Sequence, residues 1–175
     1  MSTNAPSVIF LDIDGVLNSK QHFIYRKSPE GRARRQRIIE KHGQTRIGLE
    51  LIIIDETKVE ILKKLVTDSN LKVVMTSTHR ENSNCEYFQT LFDLIGHPLP
   101  PKTVIGCTPI LGHVDERKRG AEVESWISSN RFTGKFLIID DDYEDNFFFY
   151  QPRIEIDNSI GLTPANAEAI QKYFK

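Results

Sequence analysis

The chain has 175 residues, 39% hydrophobic and 27% charged, with a net charge of −1; that length buries one core unaided, and near-neutrality argues against a wholesale nucleic-acid or membrane binder, leaving local patches open. Cys85 and Cys107 are the only cysteines and form no C-x-x-C pair, which fits two idle thiols in a reducing compartment or, alternatively, one disulfide. The polar start (residues 1–7) and the absence of any run near the roughly 18 apolar residues of a membrane span predict a cytoplasmic protein, or one secreted without an N-terminal signal.

Val8-Ile9-Phe10-Leu11 is a continuous apolar run ending at Asp12, as a strand buried on both faces reads. From Asn18 to about Glu50 the pattern dissolves into polar sequence with glycines at 31, 43 and 48. Thr57 and Glu60, three apart, predict a capping box, and Val59, Ile61, Leu62, Leu65 and Val66 supply the stripe of the helix it opens. Leu71 to Met75 is a second buried strand, ending in Thr76-Ser77-Thr78. Phe88, Leu91, Phe92 and Ile95 lie on a helix stopped by Gly96 and a proline-rich loop. Val104-Ile105 is a short strand, and a helix with Val123, Trp126 and Ile127 on one face follows Gly120. Phe136 to Ile139 is a third buried strand delivering Asp140-Asp141-Asp142, and Arg153 to Ile156 a fourth. Phe147 to Tyr150 reads as core or sheet edge. Thr163-Pro164 opens the last helix, with Thr as N-cap.

Strands alternating with helices predict a single α/β domain over 1–175, a parallel sheet with helices on both faces. Ligands then collect beyond the carboxyl ends of the strands, where Asp12/Asp14, Thr76/Ser77 and Asp140/Asp141/Asp142 converge. Carboxylates so crowded need a cation, and oxygen donors without Cys or His select Mg²⁺. One Asp can act as nucleophile and another as proton donor and acceptor. Phosphoryl transfer also needs a hydroxyl and a cation, which Thr76 and the Arg117-Lys118-Arg119 run can supply. Gly15 permits the tight turn after Asp14.

These motifs in this order resemble the haloacid dehalogenase (HAD) superfamily. Asp12-Ile13-Asp14-Gly15-Val16-Leu17-Asn18 is similar to its first motif, Val73-Val74-Met75-Thr76 to its second, Lys118 to its basic third, and Ile138-Ile139-Asp140-Asp141 to its acidic fourth. Thr78-His79-Arg80, Arg119-Gly120-Ala121-Glu122 and Gly161-Leu162-Thr163 resemble the small phosphatase-like branch of RNA-repair proteins, with His79 standing where that branch has Trp. The resemblance spans about 1–18 and 55–175. It implies a Rossmann-like HAD fold and a Mg²⁺-dependent phosphomonoester hydrolase. Asp12 would be the nucleophile forming an aspartyl-phosphate, Asp14 the acid–base, Thr76 and Lys118 the phosphoryl-binding pair, and Ser77, Arg80 and Arg119 substrate contacts. Asp12, the backbone carbonyl of Asp14, and Asp141 would hold Mg²⁺, with Asp140 and Asp145 supporting. An acid at position 14 favours phosphate chemistry over dehalogenation.

Residues 19–50 fall outside the resemblance. Between Arg26 and Arg46 eight basic residues (26, 27, 32, 34, 35, 37, 41 and 46) face Glu30 and Glu40, giving +6 locally and −7 elsewhere. This short insert reads either as a minimal basic cap over an open pocket or as a solvated loop. The cap reading predicts a macromolecular substrate, either a phosphoprotein (phosphotyrosine included) or a nucleic-acid end. A small-metabolite phosphatase and a catalytically idle binding module are the alternatives. His22, His42, His97 and His113 show no partner pattern.

Overall fold

The computed structural model describes residues 6–112, 118–142 and 146–175. Strand β1 (Val8–Leu11) is buried along its whole length, and its alternation divides the interior. Ile9 and Leu11 face the larger cluster, Val8 and Phe10 a smaller one, as a strand covered on both faces requires. β2 (Lys72–Met75) and β4 (Phe136–Asp140) flank it, with β3 (Val104–Cys107) beyond β2 and β5 (Arg153–Glu155) beyond β4. The order is β3-β2-β1-β4-β5, and every pairing is parallel. Leu11 stands opposite both Met75 and Ile139. The residues that follow, Asp12, Thr76 and Asp140, therefore emerge side by side at one edge of the sheet.

The larger cluster is closed by α4 (Glu56–Asp68), α5 (Cys85–Ile95) and α7 (Pro164–Phe174), through Leu62, Phe88, Phe92 and Ile170 among others. On the opposite face α6 (Arg119–Ser129) packs Val123 and Trp126 against the sheet. The Trp126 ring meets Phe10 edge-on at 5.5 Å. Phe147 joins this smaller core, whereas Phe149 is 94% exposed, so the aromatic run divides between core and surface. The capping expectation for α4 moves by two residues. Asp55, not Thr57, is the N-cap, its side chain accepting from Thr57 N. The last helix begins as expected, with Thr163 and Asn166 forming a reciprocal box.

The polar segment is helical: α1 (Lys20–Tyr25), α2 (Pro29–His42) and α3 (Arg46–Ile53). Each begins on a hydroxyl cap, Ser19, Ser28 and Thr45 accepting from the backbone N–H three residues on. Gly31 does not mark a loop. A Cβ there would lie 2.2 Å from Tyr25 O, so its absence lets α2 start against the end of α1. Arg34 reaches back from α2 to the carbonyls of Leu51, Ile52 and Ile54, at 3.0, 3.5 and 3.4 Å. It thereby satisfies carbonyls at and just past the C-terminus of α3 that no helix bond can use. Among the described residues no helix is long and apolar enough to cross a membrane.

Candidate active site

Asp12 leaves β1 with its backbone N–H bonded to Ile139 O (3.1 Å), while Thr76 N donates to Leu11 O (2.9 Å). Three strands are thus tied together where the polar residues begin. Val16, Leu17 and Asn18 N–H groups all turn back onto Ile13 O. Gly15 sits in that turn at φ +71°, and a Cβ there would be 2.1 Å from the Asp141 carboxylate. Glycine is needed both for the backbone angle and for the close approach of Asp141.

Asp12, Asp140 and Asp141 each offer an oxygen within 4.8 Å of the others. Asp12 and Asp140 are buried, Asp141 half-buried. Burial, then the charge of Asp12, pushes Asp140 up to about 7 and raises Asp141 as well. The cation beside them is Arg119. Its Nη1 lies 2.9 Å from oxygens of both Asp12 and Asp140, but the N–H is directed at Asp140. Burial alone would weaken the hold of Arg119 on its proton; the two carboxylates more than reverse that. Among the described residues neither oxygen of Asp12 receives a hydrogen bond, and the buried Thr76 hydroxyl has no partner either. Unsatisfied acceptors this deep are costly. With three acids crowded around one arginine, the all-oxygen donor set suits a hard divalent cation such as Mg²⁺.

Asp14 points elsewhere. Its side chain is 57% exposed and is held by Asn18 Nδ2, which donates at 2.7 Å, and by His79 Nε2 at 3.2 Å. Asn18 Oδ1 in turn accepts from Gly15 N at 2.8 Å. The bond to His79 is the largest influence lowering Asp14, against burial, which raises it. His79 is itself pushed up to about 10, by Asp14 first and Glu50 next. The Asp14 carboxylate thus lies outside the group formed by Asp12, Asp140 and Asp141.

Three other expectations change with the side-chain directions. Lys118 is the N-cap residue of α6, exposed and without a side-chain capping bond. Arg119, one residue on, turns inward and takes the position beside Asp12 that was expected of Lys118. Arg80, expected at the substrate, is 5% exposed and directs its guanidinium at Thr76 O, Ser77 O, Thr108 O, Pro109 O and Glu122. Those acceptors use all five of its N–H directions, so it binds the 76–80 turn to α6. Ser77 is fully buried, and its hydroxyl accepts from His79 N as the cap of the short turn Thr78–Arg80. Asp145 and Arg117 lie outside the described residues. Asn18 and Glu50 carried no assigned role in the sequence. Asn18 belongs to the first motif, whereas Glu50 meets the pocket through His79.

A family model described as "HAD domain in Swiss Army Knife RNA repair proteins" matches residues 8–167. No curated protein matches the chain. Among solved structures, a phosphoserine phosphohydrolase-like protein from Francisella tularensis subsp. tularensis SCHU S4 is 11% identical over 79% of each chain, with a TM-score of 0.30.

Proposed function

The chain belongs to the HAD domains of Swiss Army Knife RNA repair proteins, and from that membership and the pocket's geometry we propose how it works as a HAD-type phosphomonoester hydrolase. The observation that carries the reading is Asp12, a buried carboxylate whose oxygens accept no hydrogen bond among the described residues, 2.9 Å from Arg119 and beside the Thr76 hydroxyl, which likewise has no partner among them. Such a group is poorly solvated and able to attack. In the first step an Asp12 oxygen forms a bond to phosphorus as the ester P–O bond breaks. The proton that His79 holds against Asp14 passes through the Asp14 carboxylate to the departing oxygen, leaving an aspartyl-phosphate. In the second, Asp14 takes a proton from water, the water oxygen bonds to phosphorus, and the bond to Asp12 breaks to release inorganic phosphate. Arg119 and the Thr76 hydroxyl neutralise and bind the phosphoryl oxygens. Asp12, Asp140 and Asp141 would hold Mg²⁺, which when bound supplies the charge to offset the phosphoryl group and the three acids.

For substrate we propose the phosphorylated end of a nucleic acid. Three things support it: the family's description, the +6 charge of residues 26–46, and a groove beside Asp14. That groove has a volume of about 270 Å³ and is lined by Asn18, His22, Phe23 and Arg26, with Phe23 52% exposed. An exposed ring beside cations suits stacking of an unpaired base.

The test is turnover of p-nitrophenyl phosphate with Mg²⁺, stopped by chelation, then a panel of 3′- and 5′-phosphorylated oligonucleotides, phosphopeptides and small phosphometabolites. Asp12→Asn should lower kcat by about a thousandfold or more with its melting temperature retained. Near-wild-type turnover by a folded Asp12→Asn protein would end the mechanism, and preference for phosphopeptides would reassign the substrate. Binding without turnover by the wild type would make this an idle binding module.

A further inference from the structure

Helix α3 of the insert meets Asp14 through the half-buried ring of His79. His79 Nδ1 stands 3.5 Å from Glu50 Oε1, and its Nε2 stands 3.2 Å from Asp14 Oδ2. The ring therefore spans from α3 of the insert to the acid–base residue. The Glu50 side chain is 7% exposed and that of His79 17%, so both are constrained, whereas Asp14 projects further into solvent. The backbone carrying the ring is fixed as well. Arg46 donates from Nη2 to His79 O at 2.6 Å and from Nη1 to Asn82 O at 3.2 Å, while its Nε reaches Glu50 at 3.3 Å. Ser83 Oγ also donates to His79 O, at 3.0 Å.

We propose that Glu50 and His79 form a positioning relay through which the insert holds the Asp14 carboxylate in the orientation needed to pass a proton to the leaving oxygen. The proposal rests on the hydrolase reading above. Asn18 fixes one oxygen of Asp14 from its own turn; His79 fixes the other from across the pocket. An exposed carboxylate anchored at one oxygen still rotates. Anchored at both, it presents one lone-pair direction to the substrate, and proton transfer depends steeply on such alignment. Glu50, 3.5 Å from Nδ1, attracts the far side of the imidazole and so orients the ring toward Asp14, as carboxylates do for histidines elsewhere. Histidine at position 79 thereby makes a helix of the insert part of the leaving-group machinery.

The experiment is a leaving-group series. kcat/KM reports the steps through formation of the aspartyl-phosphate, so it is measured with Mg²⁺ for aryl and alkyl phosphates of rising leaving-group pKa. Wild type, His79→Ala, His79→Gln and Glu50→Gln are compared, each with its melting temperature. His79→Ala should lose about ten- to a hundredfold on alkyl phosphates but less than about threefold on p-nitrophenyl phosphate, whose departing oxygen needs little protonation. His79→Gln, whose side-chain N–H still reaches Asp14, should recover part of the loss, and Glu50→Gln should steepen the series less. An equal loss across the series, or none, overturns the relay, the first because it marks a packing role. If His79→Ala does not fold, His79→Gln and Glu50→Gln decide by the same slope. No hydrolysis of any ester by the wild type would instead remove the hydrolase reading, and the relay with it.

Discussion

Gly15 and Arg119 carry more of the pocket than their side chains suggest. Alanine at 15 would have to adopt φ +71° and share space with the Asp141 carboxylate 2.1 Å away. The backbone cost is about 1 kcal/mol, which lowers the melting temperature by about 2–4 °C in a protein of this size. The displacement of Asp141 is the larger effect. Gly15→Ala should cut kcat by about tenfold or more and raise the Mg²⁺ concentration needed for half-maximal activity, well beyond its effect on melting. The basic residues give a sharper comparison. Arg119 sits 2.9 Å from Asp12 while Lys118 is exposed, so Arg119→Ala should cost about a hundredfold in kcat and Lys118→Ala less than about threefold. The reverse order in a steady-state assay would return the phosphoryl-binding role to Lys118.

At the scale of elements, the insert separates its arginines by function, and the separation can be measured. Arg34 donates to three carbonyls at and beyond the end of α3 and lies 3.6 Å from Glu56, whereas Arg35 and Arg37 are exposed. Arg34→Ala should destabilise the fold by about 2 kcal/mol, lowering the melting temperature by about 4–8 °C. Arg35→Gln with Arg37→Gln should leave melting unchanged and weaken the salt dependence of binding to a polyanionic substrate. The three central strands were legible because β1, β2 and β4 are nearly continuous apolar runs, each leading into an acid or hydroxyl. The insert was not, since α2 offers hardly any apolar face beyond the half-buried Ile38, and its start signals are single hydroxyls, common in any polar stretch. Side-chain direction was the other gap. The run Arg117-Lys118-Arg119 names three cations, and only the rotation of the first turn of α6 decides which one faces Asp12. Glu50 was hidden for a similar reason, because a contact between residues 29 positions apart leaves no periodic trace.

Across the whole molecule, the insert is joined to the body by a histidine that resists protonation. His22 is buried, 3.4 Å from Ile52 O and 3.7 Å from Asp55 Oδ2. Burial lowers its pKa more than the Asp55 charge raises it, so the two are not an ion pair at neutral pH. A folded pKa below the unfolded value of about 6.5 means that the unfolded chain binds the extra proton first. Stability is therefore complete above that value and declines as pH falls through it. Melting temperatures recorded from pH 7.5 to 5.5 should drop more steeply for wild type than for His22→Gln; parallel curves would show that His22 is not the group responsible. The strand order has a different consequence, for the route by which the molecule is built. β1 pairs on one side with β2, but on the other it needs Phe136–Asp140, with Val8 opposite Phe136. Closing so long a loop is slow and entropically expensive, and this same event carries Asp140 and Asp141 up to Asp12 against their mutual repulsion. Until β1 pairs with β4 the acid cluster is not assembled, and a cation held by Asp12, Asp140 and Asp141 would also fasten the most distant pairing of the central strand.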